Sequence, residues 1–161
     1  MYFLGIDFGS SSVKLSVFDA EKGITICAVT APEFEMDIIA PVFGWAEQDP
    51  NSWWQYVKNG IQALNNKHHI DLKKIVGIGI AYQMHGLVLI DENLNPVRSS
   101  IIWCDSRAAA IGNETYDRMG HEYCQQQILG SPGNFTASKL KWVQTNQPEI
   151  FEKAAYMMLP G

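Results

Sequence analysis

The chain has 161 residues, 47% hydrophobic and 18% charged, with a formal net charge of −5. That balance suits a globular domain with a sizeable core and argues against nucleic acid or an anionic membrane surface as the partner, so any phosphate site has to be a local feature. Cys27, Cys104 and Cys124 form no CxxC pair, and an odd count closes no disulfide framework. Free thiols point to a reducing compartment and a cytoplasmic location. The opening MYFLGIDFGS lacks a basic leader region and carries Asp7, unlike a signal peptide. No apolar run reaches the roughly 18 residues of a membrane span.

In chain order, Tyr2 to Ile6 reads as a short strand that stops at Asp7, and Gly9-Ser10-Ser11-Ser12 as a turn. Val13, Leu15 and Val17 alternate with polar neighbours, as a half-buried strand does. After the turn Glu21-Lys22-Gly23, a third strand is expected over Ile24 to Ala31. The three together make an antiparallel meander. Pro32 to Ala46 has no period and reads as an irregular connection. Asp49-Pro50 is a helix start, and Trp53, Trp54, Val57, Ile61 and Leu64 follow at helical spacing up to Asn65-Asn66. The two tryptophans are expected in the core or an interface.

Ile75 to Tyr82 is expected to be a buried strand, with Gly77, Gly79 and Ala81 forming a face on which a helix could pack closely. Leu87 to Asp91 and Val97 to Trp103 read as strands around a turn at 92–96, Ser106 to Met119 as a helix, and Ser138 to Thr145 as a shorter one. Pro148 opens another helical stretch, and Tyr156 to Leu159 closes with a strand in which Met157 and Met158 fill core. His68 and His69 fall in a polar turn without metal-ligand spacing.

The run Asp7 to Lys14, D-x-G-[ST]-x-S-x-K, carries chemistry. Gly9 lets the backbone turn tightly, successive amides can form an anion-binding nest, Ser10, Ser11 and Ser12 offer hydroxyls, and Lys14 adds a point charge. Asp7 ends a strand, where a carboxylate can hold a hydrated magnesium. The bland alternative is a hairpin with a polar turn. A Walker loop is excluded, since G-x-x-x-x-G-K-[ST] is absent.

These residues, with Trp45-Ala46-Glu47-Gln48-Asp49-Pro50, Gln83-Met84-His85-Gly86, Trp103-Cys104-Asp105-Ser106-Arg107 and PGNFTASKLKWV from Pro132, resemble the FGGY carbohydrate kinases along essentially the whole chain. Within the family, Q-M-H-G looks like the members that phosphorylate xylulose, and gluconate kinases can share M-H. Two departures are Cys104, where xylulose-type members usually carry asparagine, and the extra residue Asn134 before Phe135.

The resemblance implies an α/β, ribonuclease-H-like (actin-like ATPase) lobe: a mixed sheet with an antiparallel meander and flanking helices. Residues 1–161 would form the amino-terminal, sugar-binding side of a kinase. Its catalytic base and adenosine-binding lobe would lie beyond this chain, leaving the chain inactive alone. The implied reaction is ATP-dependent phosphorylation of a ketose, D-xylulose to D-xylulose 5-phosphate, with gluconate or another family sugar as the alternative. Asp7 would organise magnesium through water, and Gly9, Ser10, Ser11, Ser12 and Lys14 would line the phosphate path. Gln83, Met84, His85, Trp103 and Asp105 would form the sugar pocket, Arg107 would support it, and Asn134 with Phe135 would form its lip.

The implied partners are a sugar and ATP, with no nucleic acid and no membrane; a homodimer of the full-length protein is compatible with this reading. The competing class is a non-enzymatic actin-like module that binds a nucleotide or a protein. Taken singly, a residue like His85 is more often a structural histidine than a ligand group and one like Trp103 most often core, and Asp105 with Arg107 could be a surface salt bridge worth little.

Overall fold

The computed structural model describes residues 1–161. The chain divides into two units, each built around its own strands. The first comprises Met1–Asp37, Asn51–Gln83 and Gly161, the second Ile38–Pro50 and Met84–Pro160.

In the first unit, the alternation at Val13, Leu15 and Val17 buries one face of a strand completely. Strands β1 (Tyr2–Phe8), β2 (Val13–Asp19) and β3 (Ile24–Ala31) form the expected antiparallel meander. A fourth strand, Ile75–Tyr82, runs parallel to β1 and gives the order β3-β2-β1 followed by this strand at the edge. The crossover is helix α1, Pro50–His68, which buries Trp53, Val57, Gly60 and Leu64. A Cβ at Gly60 would lie 2.3 Å from Leu15 Cδ1, so glycine is what lets α1 approach β2 this closely. Trp53 is core, whereas Trp54 is exposed.

The strand Ile75–Tyr82 has the expected bounds but is not buried. Val76, Ile78, Ile80 and Tyr82 remain exposed, and the strand lies at the edge of the sheet. No helix covers its small face either: a Cβ at Gly79 would meet nothing within 4 Å.

The second unit contains β4 (Glu47–Gln48), which pairs antiparallel with a short strand Ser100–Ile101, and Val88–Ile90, which pairs with Tyr156–Met158. In chain order these last three, with Ile75–Tyr82 as β5, are β6 (Val88–Ile90), β7 (Ser100–Ile101) and β8 (Tyr156–Met158). Helices α2 (Ala109–Met119), α3 (His121–Ile128), α4 (Thr136–Asn146) and α5 (Pro148–Lys153) complete it. Its core includes Leu87, Leu89, Ile101 and Val143, with Trp142 and Phe151 packed against it. β6 and β7 are shorter than the sequence suggests, α3 is an addition to it, and Met157 and Met158 lie exposed rather than in the core. The backbones of α2 and the 3-10 turn Pro132–Asn134 meet at Gly112 and Gly133, where a Cβ on Gly112 would fall 2.2 Å from Gly133 Cα. No helix is long and apolar enough to cross a membrane.

Candidate functional site

In the first unit, the parallel pairing of β1 with β5 brings Asp7 opposite Ala81 and Phe8 opposite Tyr82. Both strands therefore end together, and the Gln83 amide donates to Phe8 O at 2.8 Å, which seats Gln83 beside the Gly9–Ser12 turn. The carboxyl ends of parallel strands are where ligand crevices open in α/β sheets. Asp7 and Lys14 are cross-strand partners. They line one open depression of about 400 Å³ together with Ser16, Gly79 and Ala81, whose small side chains leave it room. The Gly9 amide donates to Ser12 O at 3.0 Å, and the Ser11 carbonyl accepts from Met36 N at 2.8 Å. Gly9 thus closes the turn with its own N–H.

In the second unit, Leu87 and Ile101 form an antiparallel bridge, with N–H···O distances of 2.9 and 3.1 Å. Antiparallel pairing places the chain entering Leu87 and the chain leaving Ile101 at the same end. Met84-His85-Gly86 and Trp103-Cys104-Asp105 are therefore brought together, although 17 or more positions separate them in sequence. The third segment is the start of α4. Thr136 Oγ1 donates to Gly86 O at 3.2 Å, and the His85 ring stacks on Phe135 with centroids 4.6 Å apart and planes 12° from parallel. His85 has a φ of 61°, a left-handed conformation that few non-glycine residues adopt. Burial, then the nearby Lys139 charge, push its pKa below the ordinary 6.5. The imidazole is therefore neutral near pH 7, with one nitrogen donating and one accepting. Met84 and Trp103 are 67% and 47% exposed, and Asn134 is exposed as well.

Asp105 and Arg107 depart from the sequence expectation. Asp105 is 0% exposed, and the Arg107 side chain 1%. Arg107 donates to both Asp105 oxygens, from Nε at 2.9 and 3.0 Å and from Nη2 at 2.6 Å. The Asp105 carboxylate also accepts from Ala46 N at 2.6 Å and from Arg107 N at 2.9 Å. Arg107 Nη1 sits 2.7 Å from Glu47 Oε1 as an ion pair without hydrogen-bond alignment. Glu47 also pairs with Arg98, which in turn donates to Gln147. The guanidinium lies 3.8 Å from the Trp45 ring centroid and 5.0 Å from that of Trp142. Both Asp105 oxygens are engaged within the protein, and the pair is buried rather than a surface bridge.

Sequence reasoning missed Lys139, Glu47 and Arg98. For Lys139 a signal was present: it precedes Trp142 and Val143 by three and four residues, which puts it on the buried stripe of α4.

The family model for the N-terminal domain of the FGGY family of carbohydrate kinases matches residues 2–161. The chain is 36% identical over 158 residues to a xylulose kinase of Escherichia coli, covering 98% of this chain and 31% of that protein. It is 32% identical over 162 residues to a xylulose kinase of Bacillus subtilis, covering 99% and 31%. Among solved structures, a xyloylose kinase from Brucella ovis matches with a TM-score of 0.88 at 33% identity, over 99% of this chain and 32% of that one. A gluconate kinase from Lactobacillus acidophilus matches with a TM-score of 0.83 at 25% identity, over 99% and 31%. The chain spans about a third of the length of the curated relatives it matches. The fold is thereby that of the actin-like ATPases, a mixed sheet with an antiparallel meander and flanking helices.

Proposed function

This chain belongs to the FGGY family of carbohydrate kinases, and from that premise we propose that it is the amino-terminal, sugar-binding part of a cytoplasmic ATP-dependent kinase acting on a ketose, D-xylulose first. The observation that carries the reading is the convergence of Met84-His85, Trp103 and Asn134-Phe135 at one end of the Leu87–Ile101 bridge. A polyol needs hydrogen-bond partners for its hydroxyls and an aromatic face for its C–H surface. Neutral His85 and the Asn134 amide supply the first, and exposed Trp103 the second. Gln83 lies beside the Gly9–Ser12 turn in the first unit, and we assign it to the same reaction.

Ser10, Ser11, Ser12 and Lys14 are the proposed phosphate contacts, with Gly9 shaping the turn. Asp7 stands as a single exposed carboxylate, and no group of three His, Cys, Asp or Glu gathers into a protein cage for a metal. That fits magnesium, which keeps several waters and takes ligands from the nucleotide as well as from one or two carboxylates. When bound, it offsets the charge that develops on the transferring phosphoryl group. Asp7 is the residue that would hold it through water.

The attacking hydroxyl must also lose a proton to a carboxylate. In the kinase reading that base and the adenosine-binding lobe are supplied outside these 161 residues. The chain by itself is accordingly expected to turn over no sugar; a coupled assay that detects phosphorylation, abolished by Asp7→Ala, would overturn this.

In the full-length protein, His85→Ala is expected to lower kcat/KM for the sugar about tenfold or more, the scale of removing one buried hydrogen bond, with the KM for ATP little changed. Unchanged kinetics toward every sugar would remove His85 from the site. The likeness to a gluconate kinase favours a second reading, gluconate as the substrate. Initial rates with D-xylulose and gluconate side by side decide between them.

A further inference from the structure

Lys139 is the least expected side chain of the second unit, a lysine that is 0% exposed in the first half of α4. Its Nζ donates to His85 O at 2.8 Å and to Asn134 O at 2.7 Å. These carbonyls belong to the two segments that carry His85, Asn134 and Phe135. Both segments need such a tie. His85 sits in a left-handed conformation, which persists only where surrounding structure enforces it. Asn134 ends a single 3-10 turn just before Phe135, the cap of α4, and so lies outside that helix.

A buried ammonium is a costly way to satisfy two carbonyls, since a water or a hydroxyl would do the same without desolvating a charge. Burial lowers its pKa to about 8, with Asp105 and Cys104 opposing that shift, so the group is charged at pH 7. Charged donors make shorter and stronger hydrogen bonds than neutral ones, which suits a clamp more than a space-filler.

We infer that Lys139 is a positioning residue of the sugar site, an internal clamp that fixes the His85 turn against the Asn134–Phe135 segment so that the His85 imidazole, stacked on Phe135, is presented to a sugar hydroxyl. The inference rests on the sugar-kinase reading. Lys139 touches neither sugar nor phosphate in it; it acts through the backbone of residues that do.

The test is a double-mutant cycle in the full-length kinase, with sugar KM, ATP KM and melting temperature measured for each form. Lys139→Met keeps the length of the stem and removes the donors. It is expected to raise the sugar KM about tenfold or more, as loss of positioning does, and to leave the ATP KM unchanged. In a His85→Ala background the same substitution is expected to raise the sugar KM by no more than about threefold, because residues that act through one another are not additive. Lys139→Gln, which keeps an N–H donor, is expected to fall between wild type and Lys139→Met. It also replaces the methionine in the cycle if that variant does not fold. A sugar KM unmoved by Lys139→Met, or raised by the same factor with and without His85, overturns the inference and leaves the kinase reading standing. A wild-type protein that phosphorylates no sugar overturns both.

Discussion

Replacing Asp105 with alanine is expected to reduce folding stability by about 3–5 kcal/mol, the loss typical when one partner of a buried ion pair is removed. The reason lies in what is left behind. Arg107 is 1% exposed in its side chain and directs its Nε and Nη2 groups at the Asp105 carboxylate. The guanidinium is buried, with the Trp45 and Trp142 ring centroids 3.8 and 5.0 Å away, and Asp105 is its hydrogen-bonded acceptor. Glu47 would remain, but it already serves Arg98. The Ala46 amide also loses its acceptor.

Against a total stability of about 5–15 kcal/mol for an ordinary domain, such a loss is large. Urea or thermal melts of the single variant measure it. Adding Arg107→Met to Asp105→Ala removes the stranded charge while keeping apolar bulk against the Trp45 ring, and is expected to recover part of the loss. An unchanged midpoint for Asp105→Ala would mean that the carboxylate is not the anchor of this network. A double variant less stable than the single would mean that Arg107 contributes through Trp45 and Trp142 more than through charge.

Much of the fold was legible because the first unit obeys local rules. β2 alternates cleanly, β3 has the bounds its sequence suggests, and Asp49-Pro50 starts α1 where capping chemistry places it. The departures share one cause, that burial is decided by partners distant in sequence. Ile75–Tyr82 is apolar on one face and small on the other, so its composition reads as buried, yet whether a face is covered depends on other elements, and Val76, Ile78 and Ile80 stay exposed. Helix α3 has few apolar residues besides Tyr123, Cys124 and Ile128, so no strong period marks it.

The candidate site divides in the same way. The Asp7–Lys14 run and Met84-His85 stand out as short motifs. The inward bonding of Asp105 does not, because it depends on the distant Ala46 amide and on an Arg107 that Glu47 and Trp142 hold from other stretches of chain. Two residues apart, an aspartate and an arginine look like a surface pair until the indoles that pack on the guanidinium are known.

In the full-length kinase, Asp7→Asn is expected to lower turnover about a hundredfold or more, the scale of losing one electrostatic stabiliser where charge develops. Asparagine keeps the size of the side chain and one acceptor oxygen but loses the charge, so the substitution isolates the electrostatic contribution. The fold is expected to survive. Asp7 is exposed, lines an open depression with Lys14, and its backbone pairing with β2 and β5 does not involve the side chain. Sugar affinity is expected to survive as well, because the proposed sugar contacts belong to the second unit, while Asp7 belongs to the first. The kinase reading and the plain-turn reading part company on this point. In a polar hairpin, a cross-strand Asp7–Lys14 pair at the surface is worth about 1 kcal/mol or less, and its loss would be nearly silent in every assay. Turnover, sugar affinity and melting temperature are measured together on the one variant. Lost turnover with unchanged affinity and melting temperature supports a carboxylate that serves the phosphates through magnesium. Raising the magnesium concentration is then expected to recover part of the rate, since a weakened site fills by mass action. Normal turnover would remove Asp7 from the phosphate path and return Gly9–Ser12 to the role of an ordinary turn.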